Sequence, residues 1–598
     1  MKDAAMKEKK PKKKEEGELR KYSGKDLIAM CAQLKTDRDL FISLRETCRF
    51  FYSPEDHNSY TGQSNTAGKQ SPQNPTGIES ARDLTAGLFS NTINLQDEFF
   101  GYEIGSKELA DDKSIEAWFA SCSEVSIHEL AASNYVLSTI DTIHDYVVVC
   151  TAVQYSEMTE DKGLRFQNFM IDLCSIAEDK DGRINTVFRD FQMTACQAYE
   201  LWGDAIPDEV MKQYMEPKTR YETEKYIHCV FPRLDYKKRY RTVEVTNKEG
   251  VKEPKQIARA EKREDMKYAS YFILEKNGAI VEEGGYRQCP YAVPRFQINL
   301  DNNPYGRGVA FMTKGLMASL DILSADISDG IELGVNPPLF LSGSMSDQAS
   351  VDITPGAVNF WNPAFDDRPF MYQAEINVAD ASAREEKLET QVKNMFYVNV
   401  FKMLEDHKNM TATEVTERVA EKIQMILPII ARLYDELYSV TLTHVFYLLL
   451  DSGAFPPMPE ALKEVWDHQE LRIKFTTRLD MKLDQLEIGQ ILKTIEQIAL
   501  VTGAVQEAPG IAAVLKIDDI KSRLAKMNRM SPKFIKNDKE TAEWNAAQEK
   551  QRQEEMDIEK MKAAPVAPID VTQLGQNVKD DPLLNQATQN LLGSPRMG

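Results

Sequence analysis

The stretch that decides the architecture is PYAVPRFQINLDNNPYGRGVA, Pro290–Ala310. It starts as an extended run, closes in a tight turn at Tyr305-Gly306-Arg307-Gly308, and opens at once into a helical pattern. Gly306 and Gly308 are expected to take backbone conformations that other residues resist, with Tyr305 and Arg307 anchoring the turn.

Downstream, the pattern predicts one helix over Ala310–Gly334. Leu316, Leu320, Leu323, Ile327 and Ile331 step by helical intervals into one apolar stripe. At about 100° per residue, Asp321, Asp326, Asp329 and Glu332 share the opposite face. For a helix considered alone, that is a solvated acidic face. Residues 336–379, with five prolines, read as turns and short strands. Further helices are predicted over 380–400 and 412–450, with Thr411 and Glu414 at capping-box spacing and Pro428 expected to kink the second. Helices are also predicted within 476–530 and over 540–562, and 563–598 reads as a disordered tail.

Upstream, residues 1–21 are a charged, low-complexity arm. Helices are expected over 25–52, 77–95 and 113–140, with a polar loop at 53–76. From about 145 to 310 the pattern turns to strands, with β-rich runs at Tyr146–Cys150, Tyr226–Phe231 and Tyr268–Leu274. His144 and Asp145 would then close a strand end. A strand followed by a helix is expected at 184–203, and the basic stretch 234–266 reads as an exposed hairpin or loop. The fold class is therefore α+β, mainly helical.

Bulk properties narrow the function. A chain of 598 residues needs more than one compact unit. A net charge of −20 argues against a broad basic surface that coats nucleic acid. The eight cysteines form no CxxC pair and read as reduced, mostly buried thiols of a protein made in the cytoplasm. No apolar run is long enough for a membrane span, and no secretory signal core is evident. GxxxxGK[ST] and GxSxG are absent, and His128-Glu129 lacks the second histidine of HExxH. No catalytic residue, cofactor or metal is expected.

The strand–YGRG–helix junction resembles that of the portal, or head-to-tail connecting, proteins of short-tailed double-stranded-DNA phages. Further segments resemble the same family in the same order: ESARDLTAGLFS at 79–90, RDFQMTACQAYELWG at 189–203, NMTATEV at 409–415 and GAFPPMP at 453–459. Two positions depart from it. Phe99-Phe100 stands where the family usually has Trp-Phe, and Cys150-Thr151 where it tends to have Gly-Thr.

The resemblance implies a portal fold assembling as a ring, a dodecamer. Its parts would be an arm (1–24), a wing (25–310), a stem helix (311–335), a clip (336–379), a second stem helix (380–400), a tunnel loop with a long kinked helix (401–454), a helical crown (455–562) and a tail (563–598). Asp321, Asp326, Asp329 and Glu332 would line the channel, where negative walls oppose adhesion of phosphates. Lys402, Glu405, Asp406, His407, Lys408 and Asn409 would form the tunnel loop. Leu339, Phe340, Phe360, Trp361, Phe365 and Phe370 would serve clip contacts, between subunits or to an adaptor; a local core is the other reading.

The implied role is a DNA conduit at one capsid vertex of the virion, for packaging and ejection. Its partners would be double-stranded DNA without sequence preference, major capsid and scaffolding proteins, the large terminase subunit and a tail adaptor, with no membrane. Alternatives are another virion component, such as an internal ejection protein or a tail adaptor, or a phage DNA-processing enzyme.

Overall fold

The structure is a computed structural model. It describes residues 22–475 apart from 58–70, 94–98, 106–111, 160–162, 234–239, 247–251, most of 259–265, 300–302, 343–350, 362–369, 372–377, 406–423 and most of 464–470. Beyond 475 it describes only scattered residues, including the helical Lys493–Ile495. The chain divides into two units, 1–486 and 487–598. The first unit holds every named helix and strand, from Gly24 to Phe475. The predicted helices within 476–530 and over 540–562, and the tail, fall almost wholly outside the described residues.

The helix expected over 25–52 is two. Helix α1 (Gly24–Asp39) starts at a capping box in which the Ser23 hydroxyl accepts from the Asp26 amide and the Asp26 carboxylate accepts from the Ser23 amide. Helix α2 (Ile42–Tyr52) follows after Leu40-Phe41. The break has a packing reason. Leu27 and Cys31 of α1 bury against one sheet, whereas Cys48, Phe51 and Tyr52 of α2 enter the main core.

Next come α3 (Thr76–Thr92), β1 (Phe100–Ile104), α4 (Lys113–Ala132) and α5 (Tyr135–Val148). Here one expectation fails. The run Tyr146–Cys150 is the end of α5 and not a strand, so His144 and Asp145 lie within a helix. All five residues from Tyr146 to Cys150 are buried, and a short, fully buried run has no period to distinguish helix from strand. The chain then turns at Cys150, whose φ of 62° lies in the left-handed region.

Strands β2 (Val153–Thr159), β3 (Gly163–Phe169), β4 (Cys174–Glu178) and β5 (Ile184–Thr194) lead to the short helices α6 (Ala195–Trp202) and α7 (Asp208–Met215). Then come β6 (Thr223–Pro232), the isolated ribbon β7 (Tyr240–Thr246) and β8 (Lys252–Ala258), β9 (Tyr268–Leu274), β10 (Ile280–Tyr286) and β11 (Tyr291–Ala292). The strand–helix unit at 184–203, the hairpin within 234–266 and the runs at 226–231 and 268–274 all form as expected. The central sheet is antiparallel in the order β10-β9-β6-β5-β4, and β11-β2-β3 form a second.

Helix α8 (Val309–Val335) matches the predicted long helix within a residue at each end. It runs out to a small sheet of β12 (Leu339–Ser342), β13 (Val358–Trp361) and β14 (Phe370–Met371), with β12 central and parallel to β13. Helix α9 (Val378–Met395) returns and breaks at Tyr397, φ 57°, before α10 (Val398–Glu405).

After the undescribed 406–423, where Thr411 and Glu414 lie, helix 424–452 closes the core. It stays helical on both sides of Pro428. Its irregularity lies further on, as a π-helical turn at Leu433–Tyr438, and Gly453 ends it with φ 76°. Strand β15 (Leu471–Phe475) pairs antiparallel with β1. The main core gathers α2, α3, α5, the first half of α8, α10 and helix 424–452.

Candidate functional site: the junction and the paired long helices

The turn that launches α8 is held from inside the molecule. Tyr305 is fully buried. Its hydroxyl donates to the Cys174 carbonyl at 3.2 Å and accepts from the Ile176 amide at 3.4 Å. The Gly306 amide donates to the Thr151 hydroxyl at 2.8 Å. Arg307 bridges to Gln297 through its backbone, and its side chain is exposed, so of the two expected anchors Tyr305 is the one that acts by its side chain.

The glycines matter for a different reason than backbone freedom. Gly308 is extended, with φ −172°. A Cβ on Gly306 would sit 2.4 Å from the Cys150 carbonyl oxygen, and one on Gly308 would sit 2.9 Å from Cys150 Sγ and from Phe296. Close approach of chain to chain demands them. The left-handed residue is Cys150 itself, where the resemblance gives glycine, and a side chain there carries strain.

Beneath the turn lies a buried ionic cluster that sequence reading did not single out. Arg45 stands over the Tyr305 ring at 4.7 Å and donates to Asp172 at 2.7 Å, and Arg49 donates to the other Asp172 oxygen and to Glu46. All three of Arg45, Arg49 and Asp172 are buried. Nearby Asp145 accepts from the Asn168 amide nitrogen at 2.8 Å. Burial pushes its carboxyl up to about 6, with Arg49 opposing the shift.

A second buried cation is Arg295, fully enclosed and inside the stretch Pro290–Ala310. It pairs with Glu178 and with Glu436 at 2.7 Å, and donates to the Gly182 carbonyl at 2.8 Å. Its one visible signal was a charge placed between apolar residues, PRF, in a run expected to be extended.

Helix α8 buries Thr313, Met317, Leu320, Ser324 and Ile327. This stripe is turned slightly from the predicted one: Leu316 and Leu323 are only half-buried and Ile331 is exposed. The polar members face partners in the chain. Thr313 shares a 2.6 Å hydrogen bond with the Tyr52 hydroxyl, and Ser324 donates to Glu385 of α9. Asn74, just before α3, ties both helices together by donating to Ser324 at 3.0 Å and to Glu385 and Glu389 at 3.2 Å each.

The four predicted acidic residues divide. Asp321 accepts from the amides of Gln73 and Asn74, so it is engaged with the segment that opens α3. Asp326, Asp329 and Glu332 are exposed, and Asp326 and Asp329 lie opposite the buried stripe.

At the far end, Leu339 and Phe340 are half-buried in β12. Phe360 is exposed, and Trp361 and Phe370 lie on β13 and β14 opposite Ser342 and Phe340. Phe365 falls outside the described residues. Lys402 and Glu405 belong to α10, but their side chains are outside the description, as are Asp406, His407, Lys408 and Asn409 altogether.

All eight cysteines are free. Cys48, Cys122, Cys174 and Cys289 are buried, which pushes their thiols up to about 12, away from reactive thiolates. Among the described residues no His, Cys, Asp and Glu group could hold a metal ion, and no helix is long and apolar enough to cross a membrane.

The chain is 22% identical over 487 residues to a probable portal protein of Bordetella phage BPP-1, covering 80% of this chain and 83% of that one. It is 21% identical over 581 residues to the portal protein of Salmonella phage epsilon15, covering 95% and 98%. The model of the bacteriophage head to tail connecting protein family matches residues 24–535, which take in the junction, both long helices and the core they pack on. The chain belongs to the bacteriophage head-to-tail connecting, or portal, protein family.

Proposed function

We propose that this chain assembles into a closed ring, a dodecamer, at one vertex of a phage capsid, and that α8 and α9 form the wall of the channel through which DNA enters and leaves. The supporting observation is the division of α8. One stripe is buried against α2 and α9, while Asp326 and Asp329 face away from it with no described chain over them. Repeated around a ring, Asp326, Asp329 and Glu332 give a negative bore. These like charges on α8 oppose adhesion of DNA phosphates, so the duplex slides. Asp321 accepts from Gln73 and Asn74, so in this reading it contributes less to the lining than the other three.

In the same reading, the β12–β14 insertion is the clip. Its apolar residues Leu339, Phe340, Phe360, Trp361, Phe365 and Phe370 meet neighbouring subunits, the terminase during packaging and the tail adaptor afterwards. Asp406, His407, Lys408 and Asn409 belong to the tunnel loop that follows Lys402 and Glu405 at the end of α10, and its cations would touch passing phosphates. The ring would be nucleated with scaffolding and major capsid proteins, and no covalent chemistry is assigned to it.

Electron micrographs of the purified protein test the proposal. Ring particles with a central channel are expected. A monodisperse monomer at assembly concentrations, or carboxylates of Asp326 and Asp329 on the outer stem surface of an imaged ring, would overturn it. Asp326→Lys with Asp329→Lys should leave rings intact and slow DNA passage in a packaging assay.

A further inference from the structure

We infer that the π-helical turn Leu433–Tyr438 is a one-residue register joint: the helical arm 424–432 ahead of it has two packing registers, and the Arg295–Glu436 pair locks the one seen here. A π-helical turn holds one residue more than an α-helical turn, and such turns inside α-helices recur at functional places. Moving the extra residue along the helix turns the intervening segment by about 100° and slides it by about 1.5 Å without unwinding it.

The lock is ionic and buried. The Glu436 carboxylate accepts from the Arg295 amide at 2.8 Å, from Nη2 at 2.7 Å and from Nε at 3.3 Å. The rest of the guanidinium is engaged by Glu178, the Pro304 carbonyl at 3.4 Å and the Gly182 carbonyl at 2.8 Å, so all five of its N–H donors have acceptors. Glu436 therefore cannot rotate away without leaving a buried cation short of acceptors.

At the last residue of the turn and beyond it, the helix is pinned independently. Tyr438 bonds Thr92 at 2.7 Å, the Tyr102 hydroxyl reaches the Leu442 carbonyl at 3.4 Å, and Thr441 donates to Gln154 at 3.2 Å.

The arm supplies a second, separate observation. Met425-Ile426-Leu427-Pro428-Ile429-Ile430-Ala431 is apolar without interruption. Ile426, Ile429 and Ile430 are buried, while Met425 is 55% and Leu427 46% exposed. A slip by one residue in one direction brings Leu427, Ile430 and Ala431 to the buried positions. A slip in the other brings Met425, Pro428 and Ile429. The first slip buries no polar side chain, and the second carries only Arg432 toward the buried place of Leu433. Side-chain pattern therefore specifies the register of this arm weakly, as in strands whose two faces are alike, and Glu436 supplies the specificity. The inference concerns the fold of one subunit and stands apart from the channel reading.

Hydrogen exchange on the full-length protein, as it assembles, tests it. Glu436→Gln keeps the volume and weakens the lock. It should speed exchange of amides 424–438 on the order of tenfold and leave 439–452 unchanged, and Arg295→Met should do so more strongly. Adding Met425→Gln together with Leu427→Gln makes both slipped registers bury an amide, and should return the Glu436→Gln exchange toward wild type. Equal acceleration in 439–452, or no acceleration, would overturn the joint. Acceleration that persists with both glutamines means fraying and overturns the second register. A change of oligomeric state caused by those glutamines in the wild-type background assigns Met425 and Leu427 to a subunit contact and also overturns it.

Discussion

The two ends of α8 are built from similar residues placed in different company. The first half, Val309–Ser324, has its inner face enclosed by its own chain: Tyr305 and the Arg45–Arg49–Asp172 cluster lie at its root, Tyr52, Asn74 and Glu385 meet its polar groups, and Met312 and Ile322 are exposed on the other face. The last turns and the sheet beyond leave Ile331, Val335, Val351, Ile353, Val358, Phe360 and Met371 exposed. A three-stranded sheet this small cannot form a core alone, and its exposed apolar residues are what the proposed clip contacts would cover. The root is finished within one subunit; the tip is unfinished.

The strongest way to break this contrast is at the root. Asp172→Ala leaves Arg45 and Arg49 buried without their shared partner. It should cost about 3–5 kcal/mol in urea unfolding, or abolish soluble folded protein. Next, Gly306→Ala pushes a methyl into the Cys150 carbonyl and should cost about 2 kcal/mol. Gly315→Ala, on α8 with open space around it, should instead stabilise by up to about 1 kcal/mol. A common sign for the two glycine changes would show that the junction is not closely packed.

A pH series sharpens the point. Asp145 titrates at about 6 folded, against 3.8 ordinarily, so the folded state binds a proton that the unfolded chain has lost. Its contribution to stability is full below the ordinary carboxylate range, is lost as pH rises through about 6, and is flat above. Asp145→Asn should remove that slope from the midpoint-versus-pH curve.

Cys150 gives a smaller and more unusual effect. Cys150→Gly relieves the left-handed strain, whereas Cys150→Ala keeps it and loses the sulfur. Glycine should therefore be the more stable variant by a few tenths of a kcal/mol to about 1, the reverse of the usual order. At the tip, Asp326→Asn and Asp329→Asn should change the unfolding midpoint least, within about 0.5 kcal/mol. A larger loss would mean that these carboxylates have structural partners, as Asp321 has.

Much of this was legible in the residues. The long helix and the strand–helix unit at 184–203 follow from local period, which acts over a few residues, and the basic composition of 234–266 allows either a hairpin or a loop. The helical end of α5 was not legible. Tyr146–Val149 are enclosed on every side, and uniform burial erases the period. Nor was the reason for the glycines at 306 and 308. That reason is Cys150, some 150 residues away in sequence and in contact only after folding.

The sequence by itself determined the helical and extended segments, the acidic character of α8 and, through ordered similarity, the portal family, because each depends on short-range pattern or on inherited order. Only the tertiary structure decided which acidic residues are free. Asp321 and Asp326 both fall opposite the predicted apolar stripe, yet one meets the backbone amides of Gln73 and Asn74 and the other meets none among the described residues. It also decided that Arg295, Glu178 and Glu436 converge. A buried guanidinium must gather its acceptors from wherever the fold brings them, and these lie more than a hundred residues to either side.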